Sequence, residues 1–362
     1  MTNQNFIDQN LFLQSYWERR VFHEQGLVSQ TKIDINKQKL IEMAMDDYYE
    51  SRLIIESSDD YKMLHGPIEN IQALSNDQKW TLFIHNINLY HPEIAALVEQ
   101  FSFLPLWNFD DVLCSYSMDG ASVGAHFDDY NVFIIQLEGK RQWLTQNNPN
   151  KTWRDDSDIK VLKHFEADNQ IILEPGDMIY IPPHVAHHGI SIGESLSLSI
   201  GFKSLEFSKL TTSLAHEILE TDNLVHKLQP LDQVTPGKDK NHIDQNSIKT
   251  ISQNLCQYLE ENGLIEKLIL KTLSTNKFYD EEDDTVTTEV DKNYYRNEHS
   301  KLLRSDNYIF IDGVQFKLNP DERTLLMQIF DQTFIEPIDH FFNDLQLSTQ
   351  SKLLSHRIIF QA

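Results

Sequence analysis

Through the first two hundred residues, apolar and polar positions alternate in short runs. After about residue 205 they recur at helical spacing. Residues 195–202 (SLSLSIGF) alternate strictly, the mark of a strand with one buried face. Residues 80–87, 112–117, 132–135, 141–144, 171–173 and 178–181 also read as strands. Glu138-Gly139, Glu174-Pro175-Gly176-Asp177 and His65-Gly66-Pro67 are expected to be turns. Residues 11–26 predict a short amphipathic helix running into an extended piece, with Phe12, Tyr16 and Trp17 packed on the strands. The acidic stretch 36–60 reads as helical. Residues 92–101 predict a helix with Ile94, Leu97 and Val98 on one face. Strands this short and regularly punctuated suggest a β-sandwich or jelly roll of the cupin shape.

The second part reads differently. Residues 205–220 form one expected helix, and Ile248, Ile251, Leu255 and Leu259 mark another. Pro230, Pro236 and Gly237 make 229–241 a linker, and the acidic run 280–284 a solvated loop. Asn319-Pro320-Asp321-Glu322 is a helix start, with a capping Asn, Pro in the first turn and an acid at the third position. Two helices and the strand-like Ile358-Ile359-Phe360 then suggest a small winged-helix-like unit. The expected organisation is a mainly β core (double-stranded β-helix, jelly roll) over 1–205, an α-helical middle segment over 206–295, and a winged-helix-like domain over 296–362.

Charge narrows the partners. The 362 residues carry 55 acidic against 31 basic side chains, a net charge of -24. A nucleic-acid binder needs positive surface, so direct DNA binding is not expected. The acids Asp321, Glu322, Asp331, Glu336, Asp339 and Asp344 speak against a DNA-reading wing in particular. A basic partner suits this surface, a ribosomal protein for example; the plainer alternative is that acidity only keeps the chain in solution. Cys114 and Cys256 form no framework for disulfides or metal, which fits a reducing cytoplasm. Residues 1–9 lack an apolar signal core, and no apolar run approaches the ~18 residues that span a bilayer.

The chemistry is concentrated in His126-Phe127-Asp128 and one histidine downstream. On an extended segment a His-x-Asp pair presents two side chains to one face. A third ligand from another strand closes a facial triad, two imidazoles and a carboxylate, the donor set of non-haem Fe(II) oxygenases. Such a centre keeps positions open for a chelating 2-oxo acid and for O2. The small-residue loop 118–125 delivers His126 with room around it. A turn, a strand and Pro182-Pro183 lead to His184, His187 and His188. His187 is taken as the third ligand, with His188 as the alternative. A 2-oxo acid also needs a cation for its far carboxylate, and Arg141 offers a bidentate match; the ordinary alternative is a surface strand arginine. Ser199, Ser197, Tyr116 and Gln136 are candidate hydrogen-bonding partners inside the barrel, Ser199 for the cosubstrate. Asp119, at the rim, is a candidate for holding a cationic substrate side chain, or equally a plain loop aspartate.

These residues resemble a family. From Trp80 to Phe202 the chain resembles the JmjC-type ribosomal oxygenases, and most of all the bacterial ribosomal protein arginine hydroxylases. The resemblance is carried by Trp80-Thr81-Leu82-Phe83, Leu104-Pro105-Leu106-Trp107, Asp110-Asp111, and the run from Val123 to Tyr130. It continues through Val132-Phe133-Ile134-Ile135-Gln136, Gly139-Lys140-Arg141-Gln142-Trp143, Leu173-Glu174-Pro175-Gly176-Asp177, Tyr180-Ile181-Pro182-Pro183 and Ser199-Ile200-Gly201-Phe202. Tyr16-Trp17 resembles the family's N-terminal Trp motif. The resemblance implies dependence on Fe(II), 2-oxoglutarate and O2, iron ligands at His126, Asp128 and His187, and a 2-oxoglutarate-binding arginine at Arg141. It implies hydroxylation of an arginine on a large-subunit ribosomal protein and a homodimer through residues around 205–275. Histidine hydroxylation, lysine demethylation, or a non-catalytic binding cupin are the alternatives. The chain departs from the family pattern at Met118-Asp119-Gly120-Ala121-Ser122 and at His184, where a Gly is usual; both line the substrate entrance.

Overall fold

The computed structural model describes residues 7–27, 33–57, 60–75, 77–220, 243–261, 263–275, 293–297, 299–331 and 337–361. The expected linker at 229–241 and the acidic run 280–284 lie outside them. The chain forms two compact units, Met1–Ser204 and Leu205–Ala362.

The first unit begins with helix α1 (Gln9–Ser15), capped by the Asp8 carboxylate on the Leu11 amide. Strand β1 (Phe22–Glu24) follows, then α2 (Lys37–Met45), β2 (Ser51–Ser57), β3 (Asp60–His65), β4 (Lys79–Ile84), α3 (Pro92–Glu99) and β5 (Phe109–Ser117). The rest is strand: β6 (Asn131–Gln146), β7 (Asn169–Leu173), β8 (Met178–Ile181) and β9 (Ala186–Phe202). All nine strands join one antiparallel sheet in the order β1-β8-β6-β9-β5-β4-β2-β3, with β7 on the far half of β6.

Two expectations are corrected here. Among the described residues of 36–60 the helix is confined to α2. The run Leu53-Ile54-Ile55 lies in β2, hydrogen-bonded on both sides to β3 and β4, and this pairing overrides the acidic flanks. Glu138-Gly139 is not a chain reversal either, because β6 runs straight through it. The β6–β9 ladder shifts register there, with Glu138 opposite Leu196 and Lys140 opposite Ile192. Gly139 adopts φ +66°, and a Cβ on it would stand 2.0 Å from the Glu194 carbonyl oxygen.

This bulge makes the jelly roll. The first half of β6 lies between β8 and the second half of β9, which pairs with β5. The second half lies between β7 and the first half of β9, which bridges the His126 segment. One ladder, bent once, thus serves two facing layers, as bends and bulges do where strands change sheets. Gly139→Ala should destabilise the first unit by roughly 2–4 kcal/mol, through the left-handed backbone and the clash; a denaturation midpoint matching wild type would refute that role.

The main core lies on the outer face of the larger layer. Leu82, Ile84, Cys114, Phe133, Ile135, Tyr180, Leu196, Leu198, Ile200 and Phe202 are buried there with residues of α2 and α3. Phe12 is an aromatic hub, with its centroid 4.9 Å from Tyr180 and 5.6 Å from Phe133, and Trp17 stacks 5.7 Å from Tyr180. The N-terminal helix therefore packs as its pattern foretold.

In the second unit α4 (Phe207–Glu220), α5 (Gln245–Glu261) and α6 (Leu264–Ser274) precede β10 (Tyr294–Arg296), β11 (Leu302–Arg304), β12 (Ile309–Ile311) and β13 (Val314–Phe316). Then come α7 (Pro320–Asp331), α8 (Asp339–Phe342), α9 (Leu347–Ser355) and β14 (Ile359–Gln361), which pairs with β10. The helix start at 319 is reciprocal: Asn319 Oδ1 accepts from the Glu322 amide at 2.9 Å, and Glu322 accepts back from the Asn319 amide at 3.3 Å. Among the described residues no helix is long and apolar enough to cross a membrane.

Candidate metal centre

Loop 118–125 delivers His126 to the edge of β9, where a two-way backbone bridge locks it to His187. The His126 amide donates to the His187 carbonyl at 3.0 Å, and the His187 amide to the His126 carbonyl at 2.7 Å. Asp128 is fixed from its own carbonyl, which accepts from the His184 amide at 2.8 Å. The result brings His126, Asp128 and His187 together, each offering one ligand atom within 4.8 Å of the others. The ring centroids of the two histidines lie 4.3 Å apart, and His187 Nε2 is 3.6 Å from Asp128 Oδ2.

Each imidazole is oriented from behind. His126 Nδ1 lies 3.0 Å from the Gly124 carbonyl and His187 Nδ1 lies 3.1 Å from the Val185 carbonyl. A carbonyl accepts only from N–H, so each Nδ1 carries the proton and each Nε2 keeps a lone pair. His187 is buried, and burial, with the imidazole of His126 beside it, pushes its pKa down to about 4. At neutral pH it is a free base, the state a metal ion requires.

The three competing histidines separate by strand parity. His187 faces inward with Trp143, 5.8 Å between ring centroids. His188 points to the other face of β9, edge-on to Phe165 at 6.0 Å. His184 is exposed at the rim, in the left-handed region at φ +65°, with Nδ1 3.2 Å from Asp129. Only His187 joins the cluster with His126 and Asp128.

Arg141 is buried on the same inner face, on β6, opposite Ser191 of β9. Its Nη1 reaches the Ser115 hydroxyl at 3.4 Å, its Nε has no partner in the structure, and its guanidinium lies 5.1 Å from the Trp143 ring centroid. Burial lowers its pKa to about 10, which leaves it a cation at neutral pH. Two further orphans point the same way in parity, Trp143 Nε1 and Thr145 Oγ1, both buried without partners. Buried polar groups of native proteins are satisfied, so a row of unsatisfied donors beside a ligand cluster marks room for an acceptor. A dicarboxylate fits that donor set, with a guanidinium for one end and the metal for the other.

Sequence reasoning missed part of this site. The hydroxyl against Arg141 is that of Ser115, bonded at 2.9 Å to Ser197, and Ser199 follows Ser197 on the same face. Gly189 is a further part of the site. A Cβ there would stand 2.9 Å from Arg141 Nε and 2.7 Å from the Trp143 ring, so only glycine lets both side chains lie across β9. The signal was available, since Gly189 lies two residues from His187 and opposite Trp143. Asp119 is exposed, and its Oδ1 accepts from the Gly193 amide at 2.7 Å. Tyr116 and Gln136 bond elsewhere, to Glu194 and to main-chain carbonyls.

A family model described as the JmjC domain matches residues 96–210, the segment holding the whole cluster. That segment is similar to the JmjC domain. The chain is 33% identical over 214 residues to the ribosomal protein uL16 3-hydroxylase of Escherichia coli, an alignment covering 58% of this chain and 57% of that one. It therefore spans less than two thirds of that relative. It is 26% identical over 281 residues to a probable ribosomal oxygenase of Haemophilus influenzae, covering 74% and 68% of the two chains. Among solved structures, YcfD, a ribosomal oxygenase from E. coli in complex with cobalt and 2-oxoglutarate, superposes with a TM-score of 0.74 at 22% identity over 98% of both chains. The chain thus shares the fold of that solved structure over nearly its whole length.

Proposed function

We propose that this protein is an Fe(II)- and 2-oxoglutarate-dependent hydroxylase of a ribosomal protein side chain. The observation that carries the reading is the pairing of two features on one inner face. One is a His-Asp-His cluster with both Nε2 atoms free, and the other is a buried, under-satisfied Arg141. His126, Asp128 and His187 would hold the iron. Arg141, with the Ser115 hydroxyl, would hold the distal carboxylate of 2-oxoglutarate. Bound iron, with 2-oxoglutarate and O2, supplies the oxidising power to put one oxygen atom into an unactivated C–H bond while succinate and CO2 leave. The chain's own contribution is placement. Backbone carbonyls fix both imidazole tautomers, Gly189 admits the arginine, and Trp143 with the apolar residues Val132, Ile134, Ile179 and Ile181 keeps bulk water from that wall.

The finer reading is that the target is an arginine of a large-subunit ribosomal protein, with uL16 as the first candidate because the E. coli relative bears that name. The net charge of -24 favours a basic substrate loop, and Asp119 at the rim would face its guanidinium. We further infer that the protein forms a homodimer through the helices after residue 205 and works in the cytoplasm.

The test is to incubate the iron-reconstituted protein with 2-oxoglutarate, ascorbate and total ribosomal proteins, then to map peptides by mass spectrometry. A single enzyme-dependent peptide heavier by one oxygen atom, on arginine, is expected. The same gain on histidine would move the target, and loss of methyl groups from lysine would replace hydroxylation by demethylation. Absence of both iron binding and succinate would sink the enzyme reading.

A further inference from the structure

A second polar constellation shares the inner face with the metal cluster. The parity of the strands shows this. Ser115 and Ser197 face inward, because they touch Arg141 and each other. Thr81 shares a hydrogen bond of 3.0 Å with Ser117, so Thr81, Phe83 and then His85, just past the end of β4, face inward too. Asp111 lies over the inward side of Gly201, where a Cβ would stand 3.3 Å from its Oδ1. Arg52 of β2 meets His85 on that same side.

These three residues form a chain of bonds with one assignment of protons. Arg52 donates from Nε at 2.8 Å and from Nη2 at 2.5 Å to His85 Nε2. A guanidinium cannot accept, so Nε2 carries the lone pair and Nδ1 the proton. Nδ1–H then donates to Asp111 Oδ2 at 3.2 Å. Glu50 stands 3.9 Å from the same His85. His85 is almost buried, whereas Arg52 is half-buried. Among the described residues His85 is the sole acceptor for the Arg52 N–H groups, which leaves the other donors of the fork open.

The constellation sits at the metal end of the barrel. It lies where β5 begins, opposite the end of β9 and next to Tyr130, which leads from Asp128 into β6. The Tyr130 phenol is held neutral by burial and by the Asp128, Asp111 and Asp110 carboxylates, while the Arg52 charge opposes them, so all four act on one ring. Lys203, paired with Asp110, covers that ring at 5.5 Å.

We propose that Arg52 is a substrate-binding residue that takes a main-chain carbonyl oxygen of the peptide beside the residue to be hydroxylated, and that His85 and Asp111 are the positioning residues that aim it. This rests on the hydroxylase reading above. A planar fork tethered along one edge offers its free edge in a fixed direction, which a lysine does not. A carbonyl fits better than a carboxylate because Glu50, Asp110, Asp111, Asp128 and Asp129 already crowd this mouth with negative charge. The same acids favour a basic side chain on the peptide, so Arg52 within an acidic mouth would set where the main chain lies and not what charge it carries.

The experiment uses the full chain reconstituted with Fe(II) and 2-oxoglutarate, and overlapping synthetic peptides covering uL16 as probes. Steady-state kinetics and the affinity of a labelled peptide in the Mn(II)-loaded, non-turning-over protein are read together. Arg52→Met is expected to raise peptide KM and Kd about tenfold, the loss of one charge-assisted bond, with the effect on KM exceeding that on kcat. Arg52→Lys should fare little better. His85→Leu should imitate Arg52→Met, while His85→Gln should restore peptide affinity, because a carboxamide accepts from Arg52 and donates to Asp111. Wild-type peptide KM and Kd in Arg52→Met would overturn the inference. So would a fall in kcat and melting temperature with KM unmoved, the signature of a structural arginine. If wild-type protein binds and hydroxylates none of the peptides and none of the ribosomal proteins, the hydroxylase reading fails and takes this inference with it.

Discussion

Replacing His126 by alanine is expected to leave a folded protein that converts no measurable 2-oxoglutarate. The fold should survive because the side chain is only half-buried, and what ties this segment to β9 is the backbone bridge to His187, which alanine keeps. The chemistry should not survive. Two ligands cannot hold a facial centre, so turnover should fall by at least about 10³-fold, beyond what a displaced side chain alone would cause. Thermal melting offers a second readout. A ligand that binds only the native state stabilises it by about 2.7 kcal/mol at a hundred times its Kd. Added Fe(II), or Co(II) as a redox-stable substitute, should raise the melting temperature of wild type and leave His126→Ala unmoved. Wild-type turnover in the variant would remove His126 from the centre, and with it the assignment of Asp128 and His187.

Arg141→Met should have two opposite effects. As the carboxylate partner, Arg141 is expected to dominate cosubstrate affinity, so its loss should raise the 2-oxoglutarate requirement about a hundredfold or more while metal binding persists. As a buried cation with an orphan Nε and one long bond to Ser115, it should also cost the ligand-free protein stability. Exchanging an under-satisfied buried charge for an apolar chain of similar length is often stabilising, here by roughly 1–3 kcal/mol. The expected variant is thus more stable and less active, a pairing that a purely structural arginine would not give. An unchanged 2-oxoglutarate requirement, or a large loss of stability, would reject the assignment.

Much of the core was legible because local pattern and tertiary role agree there. Residues 195–202 alternate because one side of β9 faces the main core and the other the barrel interior. The His-x-Asp spacing works for the same reason, although the structure adds what spacing cannot, the bridge that places His187 opposite His126. The misreadings occur where pairing outranks local signals. Glu138-Gly139 has the composition of a hairpin turn, yet its glycine serves a bulge, since β9 runs alongside and bends with it. Leu53-Ile54-Ile55 sits among acids that suggest a helix, but two neighbouring strands claim it. Gly189, Thr145 and Ser115 are not legible in the sequence because their meaning lies in cross-strand register, which no linear reading of one sequence displays. Likewise the Arg52–His85–Asp111 chain links positions far apart in sequence that meet only when β2, β4 and β5 are laid side by side.

The bent ladder of β6 and β9 also acts as a ruler. Arg141 pairs with Ser191 and Thr145 with His187, so the arginine and the proposed third metal ligand are separated by four rungs of a single hydrogen-bonded register. Each rung is worth about 3.4 Å, and each odd step turns a side chain to the opposite face. Deleting one residue between 141 and 145 would turn the guanidinium out of the barrel. Deleting two would keep it inside but move it about 7 Å towards the metal, too close for the same dicarboxylate. The length of the acid that the proposed site would accept is therefore written in a residue count along one ladder, and changes at the rim or in the loops leave that count untouched.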